Sequence, residues 1–253
     1  MNSVVVRNVK IGEGKPKICV PVLGKTEEEI LKSAKHVQSV GVDLLEWRAD
    51  WYEHVDDFDK VEKILGELRK VVGETPILFT FRTAKEGGSK SISDEDYMKI
   101  NKFVCDKHLA DLIDVEMFSG EEIIREMISY AHEKAMLVVV SNHDFRGTPS
   151  KKQIVLRLQL MQHFQADIIK IAVMPKNKED VIALLLATEE MVSKYAKVPV
   201  VTMSMSELGV LSRVSGELFG SAITFASAGI ASAPGQIPVE KMKPMLEALT
   251  MGR

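Results

Sequence analysis

Two kinds of stretch alternate along the 253 residues. One is short, nearly continuously apolar and rich in β-branched residues. It recurs at Lys17 to Val22, Val42 to Trp47, Pro76 to Phe81, Leu112 to Val115, Met136 to Ser141, Asp167 to Val173, Val198 to Met203 and Ser221 to Phe225. Strands covered on both faces read this way. The other kind spaces its apolar residues at three and four, as in Ile30, Ala34, Val37 or Val61, Ile64, Leu65, Leu68 or Ile124, Met127, Ile128, Ala131. That is the period of a helix with one buried face.

Capping signals agree with these segments. Thr26 precedes Glu27-Glu28-Glu29 and Ser93 precedes Asp94-Glu95-Asp96. Ser150 stands ahead of a lysine-rich first turn, the poorest of the three starts because cations there oppose the helix dipole. Pro244 interrupts the last periodic stretch, Val239 to Leu249, which predicts a late start or a kink. Gly209 and Gly216 leave only a short helix around Leu211 to Leu218.

Strands alternating with helices demand parallel pairing through right-handed crossovers, and eight such units in ~250 residues predict a closed (β/α)8 TIM barrel. An open doubly wound sheet is the alternative, but no GxGxxG or GxxxxGK[ST] follows any strand-like run. Val4-Val5-Val6 and Asn8 to Gly12 predict a short N-terminal β-hairpin ahead of the barrel. Residues 1–253 are expected to form a single barrel catalytic domain. The small residues of Ala226 to Gln236 suit a lid, disordered or open without ligand and closed with it.

Composition narrows the function classes. A net charge of -3 with 45% apolar residues argues against nucleic acid or an anionic membrane surface and for a small-molecule substrate. Cys19 and Cys105 form no CxxC and read as buried free thiols of a reducing cytoplasm. No signal-peptide pattern opens the chain and no apolar run nears ~20 residues, so no membrane association is expected. The absence of HxxxH, HxxEH and a cysteine cluster speaks against a metal, and the absence of GxSxG against a serine triad.

Functional side chains of such barrels stand where the strands finish. Polar residues do cluster there: Glu46 and Arg48; Arg82, leading to Glu86; Glu116; Asn142, His143 and Asp144; Met203 and Met205, then Arg213; and, beyond the last run, Ser232 and Gln236. Glu46 and Arg48 share strand parity and so point to one face, as reaction residues or as an ion pair bracing the barrel. Lys170 interrupts Ile168-Ile169-Lys170-Ile171-Ala172-Val173. A lysine there either snorkels its head to the strand end or, desolvated, drifts toward the nucleophilic free amine that attacks carbonyls. His143, on the neighbouring run, is a fitting acid/base partner because its ordinary pKa of ~6.5 allows traffic in both directions.

Glu46-Trp47-Arg48, Phe79 to Arg82, Lys85 to Gly88, Ser141 to Phe145, Lys170 to Pro175, Thr202 to Ser206 and Ser232 to Ile237 together resemble type I 3-dehydroquinate dehydratase, in the family's order from about Gly12 to the final helix. The resemblance implies a barrel, usually a homodimer, that converts 3-dehydroquinate to 3-dehydroshikimate and water in the shikimate pathway of aromatic amino-acid biosynthesis. It implies no metal or organic cofactor. It makes Lys170 the Schiff-base lysine, His143 the general acid/base and Glu86 the residue orienting the imidazole. Arg213 would bind the substrate carboxylate. Glu46, Arg48 and Arg82 would hold ring hydroxyls and tune the lysine. Clustered near Lys170, the charges of Arg48, Arg82 and Arg213 should oppose its protonation. Met203 and Met205 would line the site, and Ser232 and Gln236 would close over it. Pro21 departs from the pattern, standing where many members carry a substrate-contacting serine that can donate a hydrogen bond. Two rivals remain at this stage: a class I aldolase, which would want a phosphate site, and a non-catalytic ligand-binding barrel, which would have lost one of Lys170, His143 or Glu86.

Overall fold

The structure is a computed structural model that describes residues 3–229 and 231–250. It opens with β1 (Val4–Val6) and β2 (Val9–Ile11), an antiparallel hairpin. There follow β3 (Lys17–Val22), α1 (Glu27–Val40), β4 (Leu44–Arg48), α2 (Phe58–Val72), β5 (Ile77–Thr80), α3 (Asp94–Lys107), β6 (Leu112–Glu116) and α4 (Glu121–Glu133). The second half comprises β7 (Leu137–Asp144), α5 (Lys151–His163), β8 (Ile168–Val173), α6 (Lys178–Lys194), β9 (Val200–Ser204), α7 (Val210–Val214), α8 (Gly216–Phe219), β10 (Ile223–Phe225) and α9 (Val239–Ala248).

The strands β3 to β10 pair in parallel, β10 beside β3 and each of the others beside its successor. The seam between β9 and β10 is thin. It is closed by a single bridge from Val200 to Ser221, by Ala222 N–H donating to the Val200 carbonyl, and by the Thr202 N–H donating to the Ser221 hydroxyl. The predicted (β/α)8 barrel with its N-terminal hairpin is therefore the observed architecture.

Strand parity sorts the core into two bodies. Outward residues such as Val20, Trp47, Phe79, Val115, Val140 and Ile171 pack against the helices. Inward residues Cys19, Leu44, Leu78, Leu112, Val139, Ile168, Val201 and Ile223 fill the barrel, and Val6 and Ile11 of the hairpin join them from below. Arg7, on the hairpin turn, ties this plug down through Asp111 and Glu74.

Local details depart from the sequence reading in physically clear ways. The lysine-rich start of α5 carries a full capping box, Ser150 and Gln153 satisfying each other's backbone donors, and Lys151 reaches Glu190 of α6. These contacts offset the unfavourable dipole. Helix α9 starts at Val239 and runs through Pro244 without a break. The expected short helix after the seventh barrel strand is split into α7 and α8 at Ser215. The expected lid is also shorter than 226–236. Ala226 donates to the Cys19 carbonyl and Ser227 pairs with Ile237 and Val239, so Ala226 to Ala228 extend the barrel wall. Ile230 lies outside the described residues, and 231–236 form the part that folds over the barrel mouth.

Candidate active site

Continuing the inward parity by one and two steps toward the strand C-termini replaces aliphatic residues with Glu46, Thr80, Asp114, Ser141, Lys170, Met203 and Phe225, then Arg48, Arg82, Glu116, His143, Ala172 and Met205. A pocket opens among them at the C-terminal ends of the strands. It is lined by Glu46, Arg48, Arg82, Glu86, His143, Lys170, Met203, Met205, Ser232 and Gln236, together with Phe145, Ala172 and Phe225. Ten of the eleven sequence-derived site residues thus meet at one place.

Lys170 is buried, its Nζ 4.1 Å from the centre of the Phe225 ring and 3.8 Å and 4.0 Å from Glu46 Oε1 and Asp114 Oδ2. The snorkelling alternative does not hold. Nor do arginines dominate its surroundings as expected, because Arg48 and Arg82 are already engaged by acids and Arg213 is turned to backbone carbonyls. Arg48 is clasped by Asp50 at 2.8 Å and 2.9 Å, so no Glu46–Arg48 ion pair forms. Arg82 contacts Asp114 at 2.8 Å, Glu116 at 2.9 Å and Glu86 at 3.7 Å, and Ser141 Oγ lies 3.1 Å from its Nη1.

Across the pocket, His143 sits on the extended end of β7, which runs three residues beyond the predicted Ser141. Its Nδ1 lies 3.0 Å from Glu86 Oε2, and the same oxygen accepts its backbone N–H at 2.8 Å. Glu86 Oε1 accepts from the Asn142 amide at 3.2 Å. This arrangement leaves His143 Nε2 as the nitrogen free of the carboxylate. Burial pushes the imidazole well below its ordinary 6.5, with the Arg82, Lys170 and Arg48 charges adding to the effect, and so favours the neutral, proton-accepting ring. Burial also raises Glu86 to about 7, against the pull of Arg82 and with the push of Glu116. The turn that carries Glu86 is compact: a Cβ on Gly88 would stand 1.8 Å from the Arg82 carbonyl oxygen.

Arg213 is the residue that does not line the pocket. It lies fully buried behind Met203 and Phe225, donating to the Phe225 carbonyl at 3.3 Å and to the Pro234 carbonyl at 3.0 Å. Its Nε has no partner, and burial lowers the guanidinium to about 10. From above, Ser232 N–H donates to Gln236 Oε1 at 2.8 Å and Gln236 Nε2 to Ser232 Oγ at 3.0 Å. Gly235 permits this turn with φ 77°, and its α-carbon passes so near Ser206 that a Cβ would meet that carbonyl oxygen at 2.1 Å. The segment is therefore folded over the mouth and latched, the Ser206 N–H donating to the Pro234 carbonyl.

Pro21 shares the inward parity of Cys19 and pairs in register with Glu46 but does not line the pocket. Sequence reasoning missed Asp50, Asp114 and Phe225. Asp114 has the parity of Glu116 two residues on, a signal present in the sequence. Among the described residues no group of acids, histidines and cysteines has metal-binding geometry.

A buried amine and an imidazole facing one desolvated pocket are groups suited to carbonyl chemistry, so fold and site fit the (β/α)8-barrel enzymes. Known proteins narrow that class. The family model described as Type I 3-dehydroquinase matches residues 18–253. The 3-dehydroquinate dehydratase of Clostridioides difficile (strain 630) is 50% identical over 247 residues, which cover 98% of this chain and 97% of that protein. A crystal structure of the type I 3-dehydroquinate dehydratase from Clostridium difficile with covalently modified comenic acid superposes with a TM-score of 0.96 at 49% identity, covering 98% of both chains. That of the Geobacillus kaustophilus HTA426 enzyme gives 0.95 at 40% identity, covering 98% of this chain and 96% of that one.

The chain belongs to the type I 3-dehydroquinase family. It is a 3-dehydroquinate dehydratase of the shikimate pathway, of the type characterised by a Schiff-base mechanism. The aldolase and the non-catalytic barrel are thereby set aside.

Proposed function

We propose that Lys170, His143 and Glu86 carry the dehydration. Lys170 Nζ bonds to the ketone carbon of 3-dehydroquinate, and the carbonyl oxygen leaves as water to give a protonated imine. The imine withdraws electrons, and His143 Nε2 removes the acidified proton from the adjacent carbon. The enamine so formed expels the β-hydroxyl, which takes a proton from His143 and leaves as water. Hydrolysis of the imine then returns the lysine and releases 3-dehydroshikimate. Glu86 holds the Nδ1 side of the imidazole so that Nε2 faces the ring. The observation that carries this reading is that Lys170 and the His143–Glu86 pair line the same pocket.

In the same reading Arg213 turns its unpartnered Nε toward the substrate carboxylate, Glu46, Arg48 and Arg82 hold ring hydroxyls, Met203 and Met205 wall the ring, and Ser232 and Gln236 cover it. The test is direct. With 3-dehydroquinate, ultraviolet absorbance of the conjugated enone should grow, and borohydride should fix one ligand mass on the peptide containing Lys170. An adduct on another lysine, or none, refutes the assignment.

Residues 1–253 are further read as one catalytic domain that works as a homodimer in the cytoplasm, without cofactor. Buried unpaired thiols at Cys19 and Cys105 support a reducing compartment. Support for a dimer comes from exposed Leu156 and Leu160 of α5 beside exposed Ile182 and Leu186 of α6, an apolar strip across adjacent helices. Sedimentation equilibrium should give twice the 28.2 kDa chain mass, and a concentration-independent monomer would refute the dimer.

A further inference from the structure

Taking Lys170 as the imine-forming amine, on which this inference rests, leaves one buried acid without a task. Asp114 stands in the middle of β6 with no exposed surface. Its Oδ1 is engaged, accepting from the Ser141 hydroxyl at 2.7 Å and from Arg82 Nη2 at 2.8 Å. Its Oδ2 is buried, has no hydrogen-bond partner, and lies 4.0 Å from Lys170 Nζ. A buried oxygen left unpaired is costly, and natural proteins keep few of them.

Asp114 does not line the pocket, so it is placed to act on the lysine nitrogen and not on the substrate ring. The other groups around that nitrogen are differently occupied. Glu46 of β4, at 3.8 Å, lines the pocket, and its Oε1 already accepts the Thr80 hydroxyl. Arg48 of β4 is bound to Asp50, and Arg82, just beyond β5, is bound to Asp114, Glu116 of β6 and Glu86. His143 of β7 faces Glu86, and Arg213 of α7 is turned to the backbone near Phe225. Cys19 of β3 lies within electrostatic reach of the lysine, its thiol pushed well above the ordinary 9.0 by burial and by Glu46.

We propose that Asp114 is a positioning residue that supplies a fixed counter-charge to the Lys170 nitrogen, first as the ammonium and then as the protonated imine. Once Nζ has bonded to the ketone carbon and the carbonyl oxygen has left as water, the nitrogen carries one proton and a full positive charge in a desolvated cavity. Asp114 Oδ2 opposes that charge and keeps the proton on nitrogen. The electron sink therefore persists while the neighbouring carbon gives up its proton. Asp114 forms no bond and exchanges no proton.

The variant that tests this is Asp114→Asn, which keeps the shape and removes the charge. Turnover should fall ~10- to 100-fold with KM close to the parent value, because the residue acts after binding. Ammonium and iminium lose the same carboxylate, so both become more acidic. The acidic limb of kcat/KM, set by the free amine, and the basic limb of kcat, set by the iminium, should each move about one to two pH units toward acid. Ser141→Ala, which deletes a hydrogen bond to Asp114 but leaves its charge, should leave both limbs in place. A merely structural role for Asp114 would lower the rates with the limbs unmoved, and that result overturns the proposal.

If Asp114→Asn fails to fold, the parent enzyme decides. With [15N]lysine labelling and bound 3-dehydroshikimate, the Lys170 imine should hold its proton to a higher pH than the imine of butylamine with the same ketone in water. An equal or lower pH overturns the proposal. Absence of a borohydride-trapped Lys170 adduct in the parent enzyme refutes the lysine reading and this inference with it, whereas an adduct with unmoved limbs in Asp114→Asn refutes the inference alone.

Discussion

Replacing Glu86 with Gln should make the protein more stable and the enzyme worse. The carboxyl is 5% exposed and is raised from its ordinary 4.5 to about 7. A folded-state value above the unfolded one means that the native protein binds more protons between those values, so stability falls as pH rises through the window from 4.5 to about 7. The difference, 7 less 4.5, is worth at most about 3.4 kcal/mol at ~1.36 kcal/mol per unit. Three contacts oppose this gain, from the His143 backbone N–H, His143 Nδ1 and the Asn142 amide. Glutamine has one acceptor oxygen where the carboxylate has two, and losing a bond costs about 1 kcal/mol. The net expectation is a gain of ~1–2 kcal/mol at pH 8, or roughly 2–8 °C in Tm for a chain of this size, and little or none at pH 4.5. His143 must be kept out of the comparison. Its depressed value means that its contribution to stability is present above 6.5 and is lost as pH falls below it; both proteins carry this ring, so the difference between their melting temperatures isolates Glu86. Thermal melts of the parent and Glu86→Gln from pH 4.5 to 8 measure the gap. A gap that does not widen with pH would refute the claim that ionised Glu86 is a burden to the fold. Turnover should drop ~10- to 100-fold, because the imidazole loses the carboxylate that holds its Nδ1 side.

His143→Ala should lower turnover by ~10² to 10⁴ while Lys170 still forms some trappable imine, and near-normal turnover would leave the ring a structural role only. Arg213→Lys keeps a charge but not the fork, so KM should rise about tenfold with kcat within a few-fold; an unchanged KM removes Arg213 from carboxylate binding. Gly235→Ala places a Cβ 2.1 Å from the Ser206 carbonyl oxygen in a residue at φ 77°, so the turn carrying Gln236 must move. KM should rise at least several-fold with Tm almost unchanged, since the barrel itself is untouched. Hydrogen exchange should slow across 231–236 when product binds, and equal protection with and without product would make the segment a fixed wall.

The barrel was legible because period-two and period-3.6 patterning survive averaging over long segments, and the eight apolar runs needed no tertiary information to be seen. Glu46, Arg48, Arg82, His143, Met203 and Met205 were marked by position at strand ends and Lys170 by interrupting an apolar run, whereas the roles of Glu86, Ser232 and Gln236 came from the family resemblance. What escaped depended on partners far away in the chain. Asp114 engages Arg82 and Ser141 through a register that the sequence does not encode locally. Arg48 is neutralised by Asp50 and Arg82 by three acids, so a count of nearby arginines misjudged the field at Lys170. The lid boundary failed for a related reason. Ala226 to Ala228 are as small as the residues after them, yet they continue the wall because Cys19, Ile237 and Val239 offer backbone partners. The good start of α5 lay in Gln153, whose side chain outweighed the two lysines before it.

The hairpin stopper at the far end of the barrel turns the pocket into a cul-de-sac. Val6 and Ile11 join Leu44, Leu112 and Ile168 in one apolar cluster, so among the described residues that end of the barrel is filled, and the pocket's mouth lies beneath Ser232 and Gln236. Traffic must then run in single file. A substrate arriving there displaces the water it will not need, the water released by the reaction waits behind the product, and the next substrate cannot enter until both have backed out.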